Sequence, residues 1–360
     1  MRILFLSKDY SFNGGGERML TNLANALSHD YDVSILTLDK SDKKSIYVLS
    51  EKIHVSKANV ECCKINFLTK FKYIQYLMNN KNMLESFDFI IGVGIICNLV
   101  LAAIAKKVNV KTIAWEHFCY DRTPFYQKVL RFFLFKNLDS VIVLTNQDLR
   151  KYKKLNANTN VIYNFTQMQY SEKSYAIEKK QKLFLFVGRL SKQKGIKYLK
   201  KIIQAFSKQN PDWKFKVIGK GELQSEFLKF LQKNNLKNCV NYEEVNSNIQ
   251  GELEKASCVL MTSIAEGLPM VLIEAQSCGV PSISFDTVTG PSEIITEGKT
   301  GFLIHRYNVS AFVEKMHLFA ADSELMSEMR RQCFSDCIRF SESMIIKEWN
   351  MLFDELLRKK

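Results

Sequence analysis

Glu266 and Glu274 stand eight residues apart in the stretch SIAEGLPMVLIE, Ser263 to Glu274, with Gly267 and Pro269 between them. An apolar run, Cys258 to Thr262, precedes the stretch and reads as a strand. The stretch itself runs into a helix ending at Cys278 to Pro281. Pro269 suits the first turn of that helix, because the N–H it lacks would have no partner there. The amides of Met270, Val271 and Leu272 then point at an anion seated above the strand end. A phosphate there, with a carboxylate on either side to grip hydroxyls, describes a site for a nucleotide sugar. Each glutamate alone also reads as a plain dipole partner. Glu274, inside the helix among apolar residues, reads as partly buried and so in need of a hydroxyl, ligand or base. The paired hydroxyls of a ribose suit it, and a hexose hydroxyl suits Glu266.

Cations gather at neighbouring strand ends. Arg189 and Lys194 follow the apolar run Leu183 to Val187 in LFVGRLSKQKG. A diphosphate would answer both charges; solvated surface residues are the plainer alternative. Gly219 and Gly221 repeat the placement in VIGKGEL, and Gly14, Gly15 and Gly16 open a helix after the first strand in GGGER. Glycines there let backbone approach a ligand, although GGGER is not the GxGxxG of a dinucleotide site. His117, in AWEHFCY, follows another strand and is a candidate for holding a sugar or its phosphate, a satisfied core histidine being the alternative. The other four histidines cluster with nothing, so a metal site is not expected. Asp30-Tyr31-Asp32 has the DxD form of a metal–diphosphate grip, but it precedes a strand and reads as a solvated turn.

These residues need strands to carry them. Apolar runs at 3–6, 33–38, 89–93, 111–115, 140–144 and 161–163 alternate with helical stretches at 17–27 and 98–107. After a polar linker over 168–182, a second series begins at 183–187 and continues at 215–218, 240–242, 258–262 and 282–285. Strands joined by helical crossovers imply parallel sheets. The expected fold is α/β, two tandem Rossmann-like domains over 1–165 and 175–340 facing across a cleft. Ligands are expected outside the strand C-terminal ends. Residues 341–360 read as a long helix crossing back to the first domain.

At 360 residues, two cores are expected rather than one. With 46% apolar and 24% charged residues the chain is not a disordered one. Its nine cysteines include no CxxC pair and read as buried thiols of a reducing compartment. The run Ile3 to Leu6 is too short for a signal peptide and no stretch is long enough to span a bilayer. The net charge is nevertheless +14. Residues 1–165 carry 23 Lys and Arg against 14 Asp and Glu, so the first half holds most of the excess. Two acid-free segments concentrate it, KINFLTKFKYIQYLMNNK at 64–81 and RTPFYQKVLRFFLFKNL at 122–138. Bases interleaved with aromatic rings suit the headgroup layer of an anionic membrane; core-packed helices with solvated lysines are the alternative. No nucleic-acid motif accompanies the charge.

Taken together, GGGER (14–18), the EH pair Glu116–His117, VGRL…KG (187–195), GKG (219–221), the E-x7-E pair Glu266–Glu274 and TGPSEII (289–295) resemble glycosyltransferase family 4. The resemblance runs over nearly the whole chain. It implies a GT-B fold and a retaining, metal-independent hexosyltransferase whose second domain holds a nucleotide-sugar donor, usually UDP-linked. Arg189 and Lys194 would bind the diphosphate, Glu274 the ribose and Glu266 the donor sugar. Gly15, Gly16, Gly219, Gly267, Met270, Val271 and Leu272 would line the donor, amides near Ser292 and Glu293 the sugar pocket, and His117 would hold the sugar from the acceptor side. No cofactor is implied. The implied acceptor is a saccharide on a lipid-linked oligosaccharide, lipopolysaccharide, O-antigen or capsule precursor. The enzyme would then act peripherally at the cytoplasmic membrane face. One departure bears on the nucleotide: Glu244 stands where the family commonly has glycine. A sugar-nucleotide epimerase of the same architecture and an inactive sugar-binding relative are the competing readings.

Overall fold

The computed structural model describes residues 1–9, 14–39, 47–60, 67–168, 181–246 and 248–359. Asn13, Cys62, Cys63, residues 64–66 and most of the expected linker fall outside them. The chain divides into two compact units. One is Met1–Phe165 with Glu342–Lys360; the other is Thr166–Ser341.

The first unit is a seven-stranded parallel sheet: β1 (Arg2–Ser7), β2 (Asp32–Asp39), β3 (His54–Val60), β4 (Phe89–Val93), β5 (Lys111–Trp115), β6 (Ser140–Val143) and β7 (Thr159–Val161). Their order is β3-β2-β1-β4-β5-β6-β7, with Leu6 paired to Leu36 on one side and Gly92 on the other. The central strands are apolar runs because helices cover both faces. The final helix, Glu342–Arg358, buries Ile345, Trp349, Leu352, Phe353 and Leu356. Trp349 meets Trp115 edge-on at 5.6 Å, and Phe353 lies 4.6 Å from Phe89.

The second unit repeats the design with six parallel strands: β8 (Leu183–Val187), β9 (Lys214–Ile218), β10 (Val240–Glu243), β11 (Cys258–Met261), β12 (Ser282–Phe285) and β13 (Gly301–Ile304). Their order is β10-β9-β8-β11-β12-β13. In both sheets the order reverses beside the first strand, at β1/β4 and at β8/β11. Such a reversal parts the loops above the strand ends and opens a crevice there.

Several boundaries differ from the sequence reading. β3 and β13 were not expected. Both are edge strands, and solvent-facing residues dilute the apolar pattern of β3. Val161 to Tyr163 is replaced by Thr159–Val161. The helix expected from Asn98 begins at Gly94, whose φ of +80° makes a sharp exit from β4. Pro269 is not in the first helical turn: it is the extended residue before Met270–Ser277, and the Leu272 amide donates back to its carbonyl at 3.0 Å.

Gly195 shows why a glycine sits after Lys194. Its φ is +69°, and a Cβ would stand 1.9 Å from the Thr262 carbonyl oxygen. Gly195→Ala is therefore expected to destabilise the second unit by more than about 1 kcal/mol. A lower urea midpoint would register this; an unchanged midpoint would contradict it.

Candidate active site

The second unit brings five of the expected residues to the β8/β11 crevice. Arg189 and Lys194 come from the loop after β8, and Glu266 with Gly267 from the loop after β11. Glu274 comes from the helix that follows, Met270–Ser277. The Lys194 side chain runs along Gly188, where a Cβ would lie 3.5 Å from its Cε. Its Nζ donates to Glu266 Oε1 at 2.7 Å, with the two side chains 24% and 10% exposed. Arg189 is exposed, and among the described residues no ion pair takes its guanidinium. Glu274 is 5% exposed, as its apolar neighbours implied.

Two threonines that sequence reasoning missed hold this arrangement. Thr262 Oγ1 donates to the Lys194 carbonyl at 2.9 Å, and Thr289 Oγ1 donates to the Glu266 carbonyl at 2.6 Å. Gln193 adds a bond from Nε2 to the Ala265 carbonyl at 3.1 Å. Lys194 and Glu266 are thus fixed by their backbones as well as by each other. In the sequence Thr262 stood out only as the last residue of an expected strand and Thr289 only as the first of TGPSEII, neither with a role of its own.

The glycines sort by what surrounds them. Gly219 (φ +148°) packs so tightly that a Cβ would lie 2.0 Å from the Gly188 carbonyl oxygen, so its first duty is to let the β8 and β9 loops meet. Gly15 and Gly16 lie inside the first turn of a helix, Gly15–Leu27, rather than in a turn before it. Added Cβ atoms there would meet nothing within 4 Å, which leaves open space above that helix start. At the start of Met270–Ser277, Leu272 has spent its amide on Pro269, so the anion site expected from three amides reduces to Met270 and Val271. Glu293 likewise donates its amide to the Gly290 carbonyl at 3.0 Å, in the turn that opens Pro291–Ile294. Glu244 is salt-bridged to Lys220 at 2.6 Å across the GKG turn, on the exposed surface.

In the first unit the Glu116–His117 pair divides. Glu116 turns inward, 2% exposed, and its Oε2 accepts from Arg131 Nη2 at 2.7 Å, with Arg131 fully buried. Asn98 Nδ2 donates to Glu116 Oε1 and to the Trp115 carbonyl, each at 3.0 Å. His117 packs on Trp115 with ring centroids 4.2 Å apart. Part of the residue reaches solvent, yet its Nε2 is buried without a hydrogen-bond partner. Burial lowers its pKa from 6.5 to about 4, so the ring is neutral near pH 7 and has a hydrogen-bonding nitrogen to offer.

This shift has a stability consequence. Between about pH 4 and 6.5 the unfolded chain binds a proton that the folded His117 refuses. Stability should therefore rise with pH across that window and gain nothing from this group above it. In urea titrations at several pH values, His117→Gln should remove that part of the slope; an identical slope would contradict the assignment.

Asp30 lies exposed in the turn before β2, and Asp32 is the exposed first residue of that strand, 3.4 Å from Arg2 Nε. Among the described residues no three His, Cys, Asp or Glu side chains gather as a metal site.

The aromatic segments also divide. In 122–138, Arg131 and Phe135 are buried, so Arg131 is not among the surface bases expected there. The helix Phe125–Leu134 exposes Phe125 (81%), Tyr126, Phe132 and Phe133 on its other side. In 64–81, Tyr73 and Leu77 are core residues, whereas Leu68 and Phe71 are exposed. Lys70 Nζ lies 5.3 Å from the Tyr126 ring centre, joining the two exposed faces. Among the described residues no helix is long and apolar enough to cross a membrane.

Comparison with known proteins agrees with this architecture. Residues 13–169 match the family model described as Glycosyltransferase Family 4, and 168–334 match Glycosyl transferases group 1. The amylovoran biosynthesis glycosyltransferase AmsD of Erwinia amylovora is 26% identical, covering 97% of this chain and 98% of its own. A Campylobacter jejuni protein is 27% identical, covering 99% of each chain: GalNAc-alpha-(1->4)-GalNAc-alpha-(1->3)-diNAcBac-PP-undecaprenol alpha-1,4-N-acetyl-D-galactosaminyltransferase. Among solved structures, Anabaena HepE in complex with UDP superposes with a TM-score of 0.82 at 16% identity, covering 99% of this chain and all of HepE. That likeness establishes a GT-B fold.

Proposed function

We propose that this chain, which belongs to glycosyltransferase family 4, moves a hexose or N-acetylhexosamine from a nucleotide sugar to a lipid-linked or lipopolysaccharide saccharide in bacterial polysaccharide synthesis. The observation that carries this reading is the Lys194–Glu266 pair at the β8/β11 crevice, with Arg189 exposed in the loop that also carries Lys194 and Glu274 buried in the helix that follows Glu266. A donor diphosphate supplies the counter-charge that Lys194 now takes from Glu266 and that Arg189 lacks, and this frees the Glu266 carboxylate for a sugar hydroxyl. Glu274 takes the ribose hydroxyls. In the first unit, the open helix start at Gly15 and Gly16 is suited to a phosphate, and neutral His117 to a saccharide hydroxyl. HepE, a structural neighbour, was solved with UDP, which favours UDP as the nucleotide.

Transfer proceeds with retention and without a metal or other cofactor. The bond from the anomeric carbon to the diphosphate oxygen breaks, its electrons leaving with the diphosphate. The acceptor oxygen bonds on the same face and its proton passes to the departing phosphate. Fixed cations that stabilise the charge developing there are the main source of catalysis. The acceptor of the Campylobacter relative carries undecaprenol in its name, and the exposed rings of Phe125, Tyr126, Phe132 and Phe133, with Lys70 beside Tyr126, suit an anionic bilayer. The enzyme then works peripherally at the cytoplasmic membrane face.

The test is a panel of UDP-sugars and GDP-mannose against an undecaprenyl-diphosphate saccharide, with and without chelator, the product's anomeric configuration being read by NMR. Transfer with retention, unaffected by chelator, is expected. Conversion of the donor sugar without transfer would point to an epimerase, and inert donors to a sugar-binding relative. Flotation should occur with phosphatidylglycerol liposomes and not with phosphatidylcholine alone; equal partitioning would remove the membrane assignment.

A further inference from the structure

The Glu116–Arg131 pair is costly where apolar side chains would serve. A fully buried ion pair is often matched or bettered in stability by apolar residues of similar volume. Here Arg131 Nε and Nη1 also lack hydrogen-bond acceptors. What the pair does is join two places. Glu116 immediately precedes His117, and Arg131 belongs to the helix Phe125–Leu134, whose opposite face exposes Phe125, Tyr126 and Phe132.

The join is stiff at both ends. Both Glu116 oxygens are occupied, by Arg131 at 2.7 Å and by Asn98 at 3.0 Å. The guanidinium carbon lies 5.6 Å from the Tyr152 ring centre and 5.8 Å from that of Phe135. The chain between them is fastened as well, since the Tyr120 amide donates to Asp148 Oδ1 at 3.1 Å. A shift of the helix therefore pulls on Glu116, and through the backbone on His117.

We propose that Arg131 is a positioning residue for His117: it makes the exposed aromatic helix and the His117 segment one mechanical unit, so that seating the helix on an anionic bilayer resets the surroundings of His117. The proposal rests on the membrane reading above and adds to it a route from the bilayer to the site.

Trp115, packed on His117, is a built-in reporter. In a Trp213→Phe background the remaining tryptophans, Trp115 and Trp349, touch each other, so their emission reports this region alone. Vesicles of phosphatidylglycerol and phosphatidylcholine should shift that emission, whereas phosphatidylcholine alone should not. The double variant Glu116→Leu/Arg131→Met should unfold at the same urea concentration and float with the same vesicles, yet lose the emission shift. Should that variant fail to fold, Arg131→Lys, which keeps the charge but not the planar guanidinium, should float and show a shift reduced by at least half. A shift undiminished in either folded variant overturns the proposal. Parent protein that floats without any shift overturns the coupling and leaves the membrane reading standing; parent protein that does not float overturns both.

Discussion

Glu266→Gln should lower transfer about 10²- to 10³-fold, the loss typical of removing one preorganised polar contact at a reacting centre. Glutamine keeps the shape and leaves untouched the backbone bond by which Thr289 Oγ1 holds residue 266 at 2.6 Å. It removes the charge that Lys194 now meets at 2.7 Å. Because those side chains are 24% and 10% exposed, water screens part of their attraction. Folding stability should therefore fall by no more than about 1 kcal/mol. Steady-state rates beside a urea titration separate the two effects. A rate within threefold of the parent would remove Glu266 from the reaction.

Lys194→Met should be at least as severe, about 10²- to 10³-fold in kcat/KM. The lysine charge is aimed by its contact along Gly188 and by the Thr262 bond to its carbonyl, so it needs no reorganisation as the diphosphate departs. Methionine fills the same channel without the charge and leaves Glu266 unpaired. Both donor affinity and turnover should suffer. In the double variant with Glu266→Gln the losses should fall short of additive, because each single change already breaks the same pair. Fully additive losses would mean that the two side chains act separately. Arg189→Ala, at an exposed position, should act in the same direction but mainly through donor KM.

How far the chain could be read from its letters depended on how local each signal was. Phe89–Val93 and Leu183–Val187 are continuous apolar runs because helices cover both faces of a parallel sheet, and their bounds came out unchanged. His54–Val60 escaped because an edge strand half in water carries Ser and Lys in place of that run. The motifs at Arg189, Lys194, Glu266 and Glu274 were visible, since each follows a strand or opens a helix. Their pairing was not: Lys194 and Glu266 are 72 positions apart. Arg131 misled for the opposite reason. A base among aromatic residues reads as a surface group, and nothing nearby announces that Glu116, 15 positions earlier, draws it into the core. The helix start at Met270 was misplaced by one residue, because a proline suits both the first turn and the residue before it. That single step took the Leu272 amide from the site.

The central claim is that the β8/β11 crevice of the second unit grips a nucleoside diphosphate while its carboxylates orient sugars. A crystal structure with UDP bound tests it most directly. The expected result places Arg189 and Lys194 within hydrogen-bonding distance of the diphosphate, Glu274 on the ribose hydroxyls, and Lys194 drawn from Glu266 toward phosphate. UDP seated elsewhere, with the Lys194–Glu266 bond intact and Glu274 away from the ribose, would contradict it.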